Sequence, residues 1–169
     1  KKIDNFRSDP RIDYYFYTEK SNIRSRNWKV IQVPLIPPTD HMDTNRMSTK
    51  YYKFKQLPKE LMSYDYIVHI DAGRTHYLNN LTFNIISKEL EKNPEISFFG
   101  RKHPFLNNIY EEYNKVKKGN KDDPFYIEKW KNKLNSENFL QIVPHMELCF
   151  FIRKLADNNL TKLFEKIYY

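Results

Sequence analysis

One short segment constrains the fold of this chain more than any other. The run Tyr66-Ile67-Val68-His69-Ile70 is followed at once by Asp71-Ala72-Gly73. A short run rich in β-branched and aromatic residues is typical of a buried strand. Because open α/β sheets bind ligands at the carboxyl ends of their strands, the sequence predicts that Asp71 lies at a ligand-binding edge.

Strand-like and helix-like segments alternate along the 169 residues, and 40% of the residues are hydrophobic. This pattern predicts a single α/β domain with a largely parallel or mixed sheet flanked by helices. We expect strands at 13–18, 28–33, 66–70, 96–99 and 148–152. We expect helices at about 44–55, 58–61, 80–93, 106–118, 124–134 and 160–167.

Composition narrows the classes of function. The formal charge of +8 favours an anionic partner. Cys149 is the only cysteine, which excludes an internal disulfide or a cysteine-rich zinc site, and its apolar neighbours predict a small buried hydrophobe. No apolar run approaches the roughly 20 residues of a membrane span, so we expect no transmembrane segment in this chain. The amino terminus shows no signal-peptide pattern.

A group of basic residues precedes the Asp71 strand. Arg46, Lys50 and Lys53 are spaced i, i+4 and i+7, which predicts one face of a helix. Such a face can bind the phosphates of a nucleotide diphosphate, and arginine suits this through its bidentate geometry. The alternative is an ordinary solvated helix face. Arg74, directly after the Asp71 turn, can also reach phosphates.

Several short motifs follow one another in a distinctive order. They are Trp28-Lys29-Val30, Asn45-Arg46, Lys50-Tyr51-Tyr52-Lys53, Leu57-Pro58, Tyr64-Asp65-Tyr66, Ile70-Asp71-Ala72, His103-Pro104 and Tyr110-Glu111-Glu112. In this order and spacing, over nearly the whole chain, they resemble a GT-A-like glycosyltransferase family long catalogued as a domain of unknown function, with bacterial, plant and large-virus members. That family opens with a strand carrying a Tyr/Thr-rich nucleotide-binding turn and ends in an Arg-Asp-Gln segment. This sequence has neither, so the resemblance implies one GT-A-like domain over 1–169, truncated at both ends.

The resemblance implies transfer of a hexosyl or pentosyl group from a nucleotide-sugar donor to a glycan or glycoprotein acceptor. It also implies a Mn²⁺ or Mg²⁺ cofactor, since hard cations take oxygen ligands and offset charge on a leaving diphosphate. The usual Asp-x-Asp motif is degenerate here, which leaves Asp71 and, at a distance, His145 as the expected metal ligands. The alternatives are a turn carboxylate for Asp71 and an ordinary loop histidine for His145.

Three carboxylates are candidates for the base that takes the proton of the acceptor hydroxyl: Glu112, Glu111 and Glu147. The first two are neighbours on a predicted helix, so at most one of them faces the site. Glu147 precedes the last predicted strand. His103 is a candidate for donor or acceptor contact, or else orders its own loop before Pro104.

Two other functions compete with the transferase. The charge and the 16% aromatic content would suit a nucleic-acid-binding module. Its aromatic residues, however, mostly fall inside apolar strands, whereas base-stacking platforms expose them, so we expect no nucleic-acid partner. A catalytically inactive, glycosyltransferase-like interaction domain is the third hypothesis. The sequence leaves the location open between the cytoplasm and, if an anchor has been lost from the chain, the Golgi lumen.

Overall fold

The computed structural model describes residues 3–39, 43–119, 123–136, 146–157 and 162. The predicted mixture of helices and strands is confirmed, and the strands form two sheets. The strands are β1 (Tyr15–Thr18), β2 (Lys29–Gln32), β3 (Tyr66–Ile70), β4 (Phe98–Lys102) and β5 (Met146–Lys154). The α-helices are α1 (Thr44–Lys50), α2 (Phe83–Lys92), α3 (Ile109–Lys118) and α4 (Pro124–Ser136). The helix predicted at 160–167 lies, apart from Lys162, outside the described residues.

Strand β5 is the centre of the three-stranded sheet. It pairs antiparallel with β3 on one side and with β4 on the other, so β3 and β4 run in the same direction. The carboxyl ends of β3 and β4 therefore meet at the edge where β5 begins. The second sheet is the parallel pair of β1 and β2. Strand directions are thus mixed, as the sequence predicts.

The pairing of β4 with β5 is irregular at one point. Gly100 lies opposite Phe151, but the next residue, Arg101, lies opposite Glu147. Irregularities of this kind redirect side chains, and here the result is an arginine opposite a carboxylate at the sheet edge. A methyl group at position 100 would lie 2.5 Å from the Sδ atom of Met146, so a larger residue here requires the flexible Met146 side chain to move.

The helix predicted to run to Lys55 changes its geometry part-way. It begins at Asp43, whose side chain accepts a hydrogen bond from the Arg46 N–H, and its α-helical part ends at Lys50. A π-turn, Tyr51–Lys55, follows, and the Gln56 N–H closes it on the Tyr51 carbonyl. Lys53 is only 7% exposed as a result, so the single basic face predicted from α-helical spacing is interrupted.

The core is aromatic and lies on both sheets. Phe6 packs against Tyr14 and Trp28, with ring centroids 5.1 and 5.3 Å apart. In the larger sheet, Phe151 is fully buried, and its ring stacks on Phe54 at 5.7 Å. Within the described part of the chain, no helix is both long enough and apolar enough to cross a membrane.

Between β3 and α2 the chain takes a course that the sequence analysis did not predict. A run of 3-10 turns spans Ala72–Asn80 and carries Arg74 and Tyr77 along the sheet edge. Thr82 then caps α2 by accepting from the Ile85 N–H. Because this segment has almost no apolar periodicity, its sequence does not predict a helix.

Candidate functional site

The first group of the candidate site surrounds Asp71, directly after β3. The backbone N–H of Asp71 donates to the Cys149 carbonyl at 2.9 Å, which fixes the residue to the start of β5. Its Oδ1 atom lies 3.1 Å from the Nζ of Lys53 and 3.0 Å from the Nε2 of His69. The side chains of His69 and Asp71 thus meet on one face, as strand alternation predicts.

The environment sets the charges of this group. Burial is the largest influence on His69 and lowers its pKa, and the ammonium of Lys53 acts in the same direction. For Asp71, burial acts to raise the pKa, but the hydrogen bond to His69 and the charge of Lys53 together lower it. Near pH 7 a neutral imidazole and an ammonium therefore both donate to a charged carboxylate.

The second group surrounds Glu147, which is 7% exposed. One carboxylate oxygen lies 3.7 Å from Arg74 and the other 4.0 Å from Arg101, and the Tyr77 hydroxyl donates to the latter oxygen at 3.4 Å. The Arg101 guanidinium also packs over the Tyr77 ring, 4.7 Å from its centroid. Both arginines remain about half exposed, so they can contact an anion on their outer side.

Cys149 lies where the two groups meet. Burial, a hydrogen bond with Glu147 and the charges of Glu147 and Asp71 raise the pKa of its thiol to about 11, against a weaker opposing effect of Arg74. The thiol is therefore protonated at neutral pH, which agrees with the expectation that this cysteine is not a nucleophile.

A cavity of about 670 Å³ opens beside Asp71, between β1 and β3. Aromatic and aliphatic side chains form most of its wall, and Lys53, His69 and Asp71 line it as well. Pockets of about 300–1,000 Å³ with mostly apolar walls and a few polar groups are typical of small-molecule sites. The buried hydroxyl of Tyr17, another lining residue, has no hydrogen-bond partner among the residues that the structure describes.

The structure brings together four of the residues expected from the sequence: Asp71, Lys53, Arg74 and Glu147. It also adds Arg101 and Tyr77, which the sequence analysis did not single out. Arg101 lies near the carboxyl end of β4, as Asp71 lies just after that of β3, so the same argument about strand ends could have found it.

Other expected residues have different surroundings. Glu111 accepts the Asn107 N–H at 2.9 Å at the start of α3, and Glu112 is its neighbour on that helix. The Nδ1 of His103 accepts the N–H groups of Phe105 and Leu106, which is the loop-ordering alternative. Arg46 and Lys50 lie on α1, before the π-turn. His145 lies outside the described residues.

The side chains around Asp71 do not by themselves make up the divalent metal site that the resemblance implies, and His145, the other expected ligand, lies outside the described residues. Among them, no group of three or more His, Cys, Asp or Glu side chains is arranged to hold a metal ion. An ammonium lies against the Asp71 carboxylate, and two guanidiniums face that of Glu147. We therefore derive no chemical step through a metal.

In comparisons with known proteins, no family model, no curated sequence and no solved structure matched this chain. The geometry of the site therefore has to support the functional argument.

Proposed function

We propose that this chain is a glycosyltransferase domain that binds a nucleotide-sugar donor in the cavity beside Asp71 and transfers the sugar to a glycan or protein acceptor. The observation that carries the proposal is the cavity, whose mostly apolar wall includes the hydrogen-bonded Lys53–Asp71–His69 group. A nucleotide sugar has matching parts, because its base is flat and weakly polar and its diphosphate is strongly anionic.

The cations at the sheet edge suit the diphosphate. Lys53 lines the cavity, and Arg74 and Arg101 flank Glu147 next to it. When the bond between the anomeric carbon and the diphosphate oxygen breaks, negative charge grows on the leaving diphosphate. Positively charged groups already fixed around that oxygen stabilise the transition state without reorganising.

The acceptor step needs a carboxylate. The acceptor oxygen forms the new bond to the anomeric carbon, and its proton passes to a base. Among Glu111, Glu112 and Glu147, we assign this role to Glu147, because it is the one beside Cys149 and Asp71. Arg74 and Arg101 hold its two oxygens in place.

The test is a panel of nucleotide sugars measured first for binding and then for turnover. A donor that binds the folded state raises the melting temperature by mass action. We expect one donor to do so, and Arg101→Gln to weaken it. Arg24→Gln is the matched control, since Arg24 lies on an exposed loop and donates to the Ser21 carbonyl.

Turnover separates the transferase from its alternatives. Release of nucleoside diphosphate with sugar transfer to an added acceptor supports the proposal. Binding without any turnover supports the inactive, glycosyltransferase-like domain instead. If no nucleotide sugar changes the melting temperature, the proposal is wrong. Binding to single-stranded oligonucleotide that falls steeply with salt would point to the nucleic-acid module.

A further inference from the structure

We propose that Lys53 supplies the positive charge at Asp71 that a divalent metal would otherwise provide, so that phosphate binding at this site is independent of metal. The inference rests on the proposed function, in which this site receives the diphosphate of a donor. It concerns which cation meets that diphosphate.

The position of Lys53 is the first argument. The π-turn carries its side chain inward, where it is 7% exposed, and its Nζ lies 3.1 Å from the Asp71 carboxylate. The ammonium also lies 5.5 Å and 5.6 Å from the ring centroids of Phe54 and Phe151. A lysine held by a carboxylate and two aromatic rings is a fixed charge rather than a mobile surface group.

The charge at Asp71 is the second argument. A divalent ion bound to this carboxylate would lie about 2.0–2.6 Å from its oxygens. It would then be within a few ångströms of the Lys53 ammonium, and the two cations would repel each other. Such an ion also needs a second oxygen donor. Glu147 does not provide one, because its carboxylate already faces Arg74 and Arg101.

The cavity is the third argument. Both Lys53 and Asp71 line it, so an anion that enters meets the ammonium at the cavity wall. Asp71 is then a positioning residue that holds Lys53, and it does not coordinate a metal. Arg74 and Arg101 add positive charge at the same sheet edge.

Titration with Mn²⁺ alone tests the inference without any donor. Electron paramagnetic resonance measures free Mn²⁺ in the presence of the purified protein. We expect Asp71→Asn to bind Mn²⁺ no more weakly than the unaltered protein does. Lys53→Met leaves the carboxylate uncompensated, and we expect it to gain Mn²⁺ affinity by about tenfold or more. If the unaltered protein binds Mn²⁺ and Asp71→Asn abolishes that binding, the inference is wrong. This comparison requires only that the isosteric variant Asp71→Asn folds.

Titration with inorganic pyrophosphate, and with the donor found in the panel, tests the consequence. We expect the same dissociation constant in EDTA and in Mn²⁺. Lys53→Met should weaken binding about tenfold in both buffers, since it removes a charge-assisted contact. Lys55→Met, on the same π-turn, is the matched control and should bind as the unaltered protein does.

The outcomes separate the two proposals. Donor binding that requires Mn²⁺ overturns metal independence and leaves the transferase proposal standing. Donor binding in EDTA that Lys53→Met does not weaken also overturns the inference, because another cation then meets the phosphates. If no donor binds in either buffer, the transferase proposal fails, and the Mn²⁺ titration still decides whether Lys53 excludes a metal from Asp71.

Discussion

The imidazole of His69 lies almost parallel to the ring of Phe151, with the centroids 5.0 Å apart and the planes inclined by 13°. The same imidazole is hydrogen-bonded to Asp71 through Nε2. Burial lowers the pKa of His69 below its ordinary value of 6.5, although the hydrogen bond to Asp71 acts in the opposite direction. The stability of the fold is therefore linked to pH at this residue.

Below about pH 6.5 the unfolded chain takes up a proton on His69 while the folded protein does not. The free energy of unfolding should therefore fall as the pH is lowered through 6.5 towards 5, and the contribution of His69 should be complete only well above 6.5. We expect His69→Gln to reduce this slope, as measured by urea denaturation at each pH. His76→Gln, at an exposed position of the same sheet edge, is the control. An unchanged slope in His69→Gln would contradict the prediction.

The hydroxyl of Tyr17 should be dispensable for stability. It is buried, no described residue is its hydrogen-bond partner, and burial raises its pKa. An unsatisfied buried polar group costs about 1–3 kcal/mol, so Tyr17→Phe should raise the free energy of unfolding by about 1 kcal/mol. Tyr14→Phe is the matched control. The Tyr14 hydroxyl accepts the Asp9 N–H at 3.1 Å, so its loss should lower stability by about 1 kcal/mol. Equal effects of the two variants would contradict this account.

The reactivity of the Cys149 thiol should depend on the two carboxylates near it, those of Glu147 and Asp71. With a thiol pKa of about 11, it carries about a hundredfold less thiolate at pH 8 than a thiol with the ordinary value of 9.0. We expect slow reaction with a disulfide reagent in the folded protein and fast reaction in urea. Glu147→Gln removes a hydrogen-bonded charge, so it should speed the reaction of the folded protein. Since the chain has one cysteine, the signal has one source.

Position 100 should tolerate a larger residue than glycine only if the Met146 side chain moves. Gly100→Ala places a methyl group against the Met146 side chain. Because the Met146 side chain is flexible and 36% exposed, it can move aside, so we expect a loss of about 1 kcal/mol or less, which urea denaturation can measure. We expect Met146→Ala to recover much of that loss in the double variant. A coupling energy near zero in the double-mutant cycle would show that the two residues do not conflict.

Sequence patterns predicted the regular elements well where periodicity was strong. The strand expected at 66–70 has those bounds, and the helix expected at about 80–93 is Phe83–Lys92. The strand expected at 148–152 extends over Met146–Lys154, because it lies between two partners that both continue its pairing. Hydrophobic patterns report which face is buried, but pairing decides where a strand ends.

The candidate site was predictable only in part, for a related reason. Asp71 and Arg74 follow a strand, so local sequence locates them. The approach of Lys53 depends on a π-turn, and Tyr51–Lys55 has no composition that distinguishes it from an α-helix. The approach of Arg101 to Glu147 depends on the irregular register at Gly100. Such long-range geometry leaves no periodic signal in the chain.

The π-turn makes the chemistry at Asp71 sensitive to chain length as well as to residue identity. A one-residue deletion that turned Tyr51–Lys55 into regular α-helix would keep every charged side chain of the site in the sequence. It would nevertheless rotate the following positions by about 100° around the helix axis. Lys53 would then leave the carboxylate, and a cavity wall that already carries the carboxylates of Asp13, Glu19, Asp65 and Asp71 would lose one of its two described cations. A gain or loss of one codon here would thus remove a positive charge from the cavity wall without any substitution.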